Sequence, residues 1–185
     1  MSGATGEVRR LAREFARTEI APHAREWDER SHFPHDVFRK LGELGFLGVL
    51  VPDEYGGAGL TYRDYVAIVE ELAAVEGGVA LSVAAHNSLA TNHIYTYGSE
   101  DQRRRWVHRL ASGEILGAWA LTEPEAGSDS AATKTTAVRN DKGWVLNGTK
   151  RWITNGSIAD VAIVWAKVDE GITCFRVGKF TPCVL

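Results

Sequence analysis

The spacing of apolar residues changes once along the chain, at Gly113, and no other feature of the sequence constrains the fold as strongly. Before Gly113 the apolar positions recur at helical spacing. After it, short β-branched and aromatic runs are punctuated by Asn-Gly and Lys-Gly pairs, which is the pattern of strands and turns. A helical block followed by a β block argues for an α+β fold with segregated elements and against a doubly wound sheet. The expected organisation is an all-α helical domain over 1–113 and, over 114–185, a partial β domain forming an incomplete antiparallel barrel or sandwich.

Within the first block, Val8, Leu11 and Phe15 share one face of a helix that Pro22 must kink or end. A second helix starts near Pro34, carries Val37, Leu41 and Leu44, and stops at Gly45. Pro52 to Gly59 is a loop by composition. Thr61 with Asp64 three positions later, and Ser99 with Gln102, have the spacing of helix-start capping boxes. Val66, Val69, Leu72 and Ala73 then fall on one side of the helix that Thr61 opens. Residues 78–97 are rich in small side chains and apolar on more than one face, which suits a central helix. Trp106, Val107 and Leu110 give the last helix its apolar side before Ser112-Gly113 ends it.

In the second block the candidate strands are Ile115 to Leu121, Thr133 to Arg139, Trp144 to Leu146, Lys150 to Ile153, Val161 to Val168 and Ile172 to Val177. Asn147-Gly148 is the sharpest hairpin signal among them. Short strands without closing partners leave open edges and an unfinished core.

Composition excludes several functions. The balance of 21 basic against 24 acidic residues leaves no electrostatic footprint for nucleic acid, and Arg103-Arg104-Arg105 reads as a solvated helix face. No apolar run approaches the roughly 20 residues that span a bilayer, and no secretory signal opens the chain, so a cytoplasmic location is expected. The two cysteines, Cys174 and Cys183, form neither a disulfide framework nor a metal-ligand spacing. His86 and His93, and His32 with His35, lack a third ligand, so no metal site is expected. The sequons at Asn147 and Asn155 are better explained as turns.

Chemistry concentrates in two runs. In Leu121-Thr122-Glu123-Pro124-Glu125-Ala126-Gly127-Ser128-Asp129, Pro124 forces a turn and Gly127 is expected to take backbone angles closed to other residues. The amides around Ala126 to Ser128, with the Ser128 hydroxyl, suit a pyrophosphate or a carbonyl oxygen, and Thr122 adds a second hydroxyl. In Lys150-Arg151-Trp152-Ile153-Thr154-Asn155-Gly156, Trp152 offers an aromatic plane and Thr154 a hydroxyl, contacts that a polar aromatic ring system needs.

Together these runs resemble the flavin-binding signature of the acyl-CoA dehydrogenases. The resemblance extends through Asn87-Ser88-Leu89, Gly98 to Trp106, Gly171-Ile172-Thr173, Lys179 and Thr181-Pro182, and so covers essentially the whole chain. It implies FAD as cofactor, contacted by Trp119, Leu121, Thr122, Gly127, Ser128, Trp152, Ile153 and Thr154. It implies an acyl-CoA substrate approached by Ser128, with Ser82, Ala85 and Leu89 as candidate walls of the acyl cavity, although packing explains those three equally well. The implied reaction is α,β-dehydrogenation by a carboxylate base and the flavin, with an electron-transfer flavoprotein as acceptor and a homotetramer as the assembled state.

In that family the base comes from a C-terminal helical domain, which is expected to be absent from this chain. Glu123 and Glu125 both lie in the cofactor loop and neither is the base, so no catalytic residue is assigned and little turnover is expected from the chain alone. A non-catalytic flavin- or acyl-CoA-binding fragment, or one half of a split enzyme, is the alternative. Acyl-CoA oxidases and flavin monooxygenases share related domains, and the signature is nearest the dehydrogenases. Around Cys174 and Cys183 the family framework weakens, and Arg176 is expected to break the apolar alternation of its strand.

Overall fold

The computed structural model describes residues 3–179 and residue 181; Phe180, Pro182 and Cys183 lie outside the described residues. The chain divides into two compact units, Met1–Ile115 and Leu116–Leu185.

The first unit is helical. Helix α1, Gly3–Phe15, runs into a wider π-type turn at Ala16–Ile20 and stops before Pro22. A short helix the sequence pattern did not announce, α2, spans Ala24–Arg30 and buries none of its residues, so no apolar stripe marks it. Helix α3, His35–Glu43, buries Val37, Phe38 and Leu41 on one face, and Pro34 occupies its N-cap. It passes so close to the Ser112-Gly113 turn that a Cβ on Gly42 would lie 2.1 Å from the Ser112 carbonyl oxygen.

Helix α4, Tyr62–Ala73, opens with the expected capping box, in which the Thr61 side chain and the Asp64 backbone and carboxylate bond reciprocally. Helix α5, Gly77–Ala84, continues through a π-type stretch at Ala85–Thr91 into α6, Asn92–Tyr97. The expected Ser99–Gln102 box starts α7, Glu100–Gln102, which runs on to α8, His108–Ala111. On the wide stretch Asn87 is buried with all its bonds inside. Its Oδ1 accepts from Val49 N at 3.0 Å, and its Nδ2 donates to the Phe46 and Val83 carbonyls at 2.9 and 3.1 Å. Full burial holds the pKa of His86 down to about 4, although hydrogen bonds to the Leu110 and Leu47 carbonyls pull it up.

Among the described residues the second unit is a five-stranded sheet of β1 Gly117–Ala120, β2 Thr136–Asn140, β3 Gly143–Asn147, β4 Val161–Val168 and β5 Gly171–Gly178. The α+β division is borne out, but the sheet is mixed where an antiparallel one was expected. Strand β4 pairs antiparallel with β5 along its whole length, so β1 and β2 share its other edge, and both pair with it in parallel. The reason is topological. The chain between β1 and β4 contains the β2–β3 hairpin and two long loops, which leaves room for β4 to return in the direction of β1.

The hairpin turns fall at Asp141-Lys142 and Asp169-Glu170, not at Asn147-Gly148. Gly148 serves instead for close approach: a Cβ there would lie 2.3 Å from Thr135 Oγ1. Lys150 to Ile153 forms no strand, because Trp152 takes a left-handed conformation at φ 59° that a β ladder does not accept. Strand β2 starts three residues later than expected, since the Lys134 and Thr135 amides bond a carboxylate instead of a neighbouring strand. Arg176 breaks no buried alternation, because β5 has no fully buried position.

Candidate functional site

The two chemistry-bearing runs meet in the β unit. Leu121 and Thr122 leave the end of β1, and Arg151 N donates to the Thr122 carbonyl at 2.8 Å, laying one loop along the other. Glu123 and Ala126 exchange backbone hydrogen bonds across Pro124-Glu125, so the first loop folds back sharply.

Glu123 is the hub of this arrangement. Its buried carboxylate accepts from Lys134 N at 2.6 Å, Thr135 N at 3.0 Å and Lys150 Nζ at 2.7 Å. Burial alone would raise its pKa, but Lys150, Thr135 and the two amides outweigh that and hold it at about 2. Lys150 Nζ also donates to the Leu121 carbonyl at 3.0 Å. A carboxylate that is ionised, enclosed and bonded on both oxygens is a poor proton acceptor. Glu125 is exposed and ion-paired with Lys134.

The hydroxyls of Thr122, Ser128 and Thr154 and the amides of Gly127 and Ser128 form no hydrogen bond among the described residues. Gly127 does not use the left-handed backbone region as expected, and a Cβ there would meet nothing within 4 Å. Ala126 N is not available, since it bonds Glu123 O. Trp152 is 78% exposed despite its left-handed backbone, with the Arg151 guanidinium 4.6 Å from its ring centroid. A large aromatic side chain left in water on a strained backbone is costly in the free chain, and such strain concentrates at ligand contacts.

Trp119, on β1, is half-buried and packs edge-on against Trp165 at 5.9 Å. Leu121 and Ile153 are also half-buried. Trp119, Leu121, Thr122, Gly127, Ser128, Trp152, Ile153 and Thr154 therefore all belong to the β unit, on β1 and the two loops. Ser82, Ala85 and Leu89 belong to the helical unit, on one stretch of the α5–α6 helix, where Ala85 is buried, Ser82 half-buried and Leu89 exposed. Sequence reasoning gave Lys150 and Arg151 no task. Their local signal was a lysine opening a run read as a strand, and its partner Glu123 is remote in sequence. Among the described residues no group of acidic, histidine and cysteine side chains has the geometry of a metal site, and no helix is long and apolar enough to cross a membrane.

A helical unit followed by a mixed sheet is an architecture that known proteins share. Residues 4–114 match the N-terminal domain of acyl-CoA dehydrogenases, and residues 118–184 match their middle domain. The chain belongs to the acyl-CoA dehydrogenase family. It is 39% identical to an acyl-CoA dehydrogenase of Bacillus subtilis over 180 residues, covering 95% of this chain and 48% of that protein. A glutaryl-CoA dehydrogenase of Mycobacterium smegmatis, solved in complex with FADH2, superposes with a TM-score of 0.95 at 40% identity, over 98% of this chain and 47% of the other. An acyl-CoA dehydrogenase of Bacillus anthracis complexed with FAD gives a TM-score of 0.92 at 38% identity, over 98% of this chain and 32% of that one. The chain thus spans about half the length, or less, of the proteins it matches.

Proposed function

We propose that this chain contributes one wall of an FAD site that serves the α,β-dehydrogenation of an acyl-CoA thioester in fatty-acid or branched-chain acyl-CoA oxidation. The observation that carries this reading is the exposed Trp152 indole on its left-handed backbone, next in sequence to Arg151, whose amide bonds the Thr122 carbonyl of the other loop. The residues fit the group: Trp152 offers a face for a flat aromatic ring, and Trp119, Leu121 and Ile153 supply apolar edges. Thr122 and Thr154 offer hydroxyls to the ring's polar atoms, and the Gly127 and Ser128 amides suit a pyrophosphate. FAD, when bound, supplies the acceptor for the substrate's β hydride. Ser128 would also approach the CoA portion, and Ser82, Ala85 and Leu89 would line the acyl chain.

The reaction further needs a base for the α proton, and none of these loop residues provides it. Glu123 is enclosed and Glu125 is exposed and paired, so we assign no catalytic residue here and infer that the base lies outside these residues. The 185 residues by themselves are accordingly expected to turn over little or no acyl-CoA with an artificial electron acceptor. An electron-transfer flavoprotein as acceptor, a homotetrameric assembly of the complete enzyme and a cytoplasmic location are part of the same reading. In a second reading the chain is a flavin- or acyl-CoA-binding half that works with a separate base-bearing chain.

The test is titration of the purified chain with FAD, followed by flavin fluorescence and absorbance. Saturable quenching with a shifted flavin band is expected; a folded chain that leaves the flavin spectrum unchanged would contradict the reading.

A further inference from the structure

The chemistry above gives Glu123 and Lys150 no contact with the flavin or the substrate, yet both are charges taken out of water, with side chains 4% and 11% exposed. Desolvating two charges is expensive, and an apolar pair of equal volume is often no less stable. Here such a pair would strand three main-chain groups, because the Lys134 and Thr135 amides and the Leu121 carbonyl take their partners from these two side chains.

The bonds converge on one geometric result. Glu123 ties the first loop to the start of β2, and Lys150 reaches back past Glu123 to the residue that leaves β1. The next residue, Arg151, bonds Thr122 through its amide at 2.8 Å, and the one after it, Trp152, turns left-handed. Thr135 also presses against Gly148, just before Lys150. Segments 121–126, 134–135 and 148–152 are therefore held in a single register, and Trp152 directly follows the last of these bonds.

We propose that Glu123 and Lys150 form a positioning clasp that fixes Trp152 and Thr122 against each other, so that the two loops meet the flavin already arranged. Neither residue touches the flavin; both act through Trp152 and Thr122. The proposal rests on the flavin reading of this site. Its expected signature is lost preorganisation: a folded chain without the clasp must order the loops on binding and binds FAD more weakly, by roughly tenfold.

The test compares the wild-type chain with Lys150→Met, and with Glu123→Gln/Lys150→Met in case the single change leaves an unpaired charge that prevents folding. Amide hydrogen exchange is measured without FAD, and FAD affinity is measured in the wild-type and Trp152→Ala backgrounds. The clasp predicts faster exchange at the Arg151 amide and FAD binding about tenfold weaker. It also predicts that most of this loss disappears when Trp152 is already alanine, since the clasp works through that ring. Unchanged protection at Arg151 would overturn the clasp whatever FAD does. Faster exchange with unchanged FAD affinity, or an equal loss in the Trp152→Ala background, would overturn the positioning role alone. A wild-type chain that binds no FAD would overturn the flavin reading and the positioning role with it, while the exchange data would still decide whether the pair fixes the loops.

Discussion

Two glutamates, one in each unit, are held ionised by opposite means. In the helical unit Glu71 joins α1 to α4: Arg13 grips it with Nε and one terminal nitrogen at 2.8 Å each, Arg9 adds a bond at 3.0 Å, and the arginines themselves stay partly in water. Arg13 is the main cause of its low pKa, about 2, with burial opposing and Arg9 assisting. In the β unit Glu123 reaches the same value against its own burial with a single lysine, Thr135 and two main-chain amides. The first pair joins two regular elements that already pack. The second orders loops that have no ladder or helix of their own, and those loops carry the unused donors and the exposed indole. Charge is thus auxiliary in one unit and constitutive in the other.

The largest expected effect separates the two. Lys150→Met leaves Glu123 buried without its cation and should cost the β unit about 3–5 kcal/mol in urea unfolding. Glu71→Gln, whose partners can return to water, should cost the helical unit about 1.5–3 kcal/mol. Equal losses would break the comparison.

Acid should also act on the units in sequence. His86 has a folded pKa of about 4 against an ordinary 6.5, so the unfolded chain takes up its proton first. Its contribution is complete above pH 6.5 and is lost as pH falls toward 4, on the order of 3 kcal/mol. Glu123 and Glu71, lowered from 4.5 to about 2, keep theirs until pH falls below 4.5 and lose it toward 2. All six histidines precede residue 116, so between pH 6.5 and 4.5 the helical unit alone should weaken. Residue-resolved NMR melts at pH 7 and pH 5 check this, and parallel weakening of the β unit would count against it. The smallest effect expected is at a helix end: Thr61→Ala removes the capping box of α4 and should cost about 1 kcal/mol, read as a lowered thermal midpoint of the helical unit with the β unit unmoved.

The same contrast explains what could be read from the residues alone. Helix starts at Thr61 and Ser99 are local chemistry written within four residues, and both formed as expected. Strand β4 matched its expected bounds because a run of β-branched residues is also local. The parallel return of β4 beside β1 pairs Gly117 with Val161, and no periodicity spans that distance. Asn147-Gly148 misled because its hairpin signal ignores Thr135, against which Gly148 must lie. The two loops were recognisable as motifs, yet the roles of Glu123 and Lys150 were not, since a buried ion pair exists only once remote segments have met.

The most direct test of the flavin wall compares two exposed tryptophans of the β unit, Trp152 on the loop and Trp144 on β3, which are 78% and 46% exposed. Each is replaced by alanine and titrated with FAD. If the loops form the wall, Trp152→Ala weakens binding by roughly tenfold, as loss of about 1–1.5 kcal/mol of aromatic stacking requires, and Trp144→Ala leaves it unchanged. Equal affinity for wild type and Trp152→Ala, or a loss only in Trp144→Ala, would contradict the account.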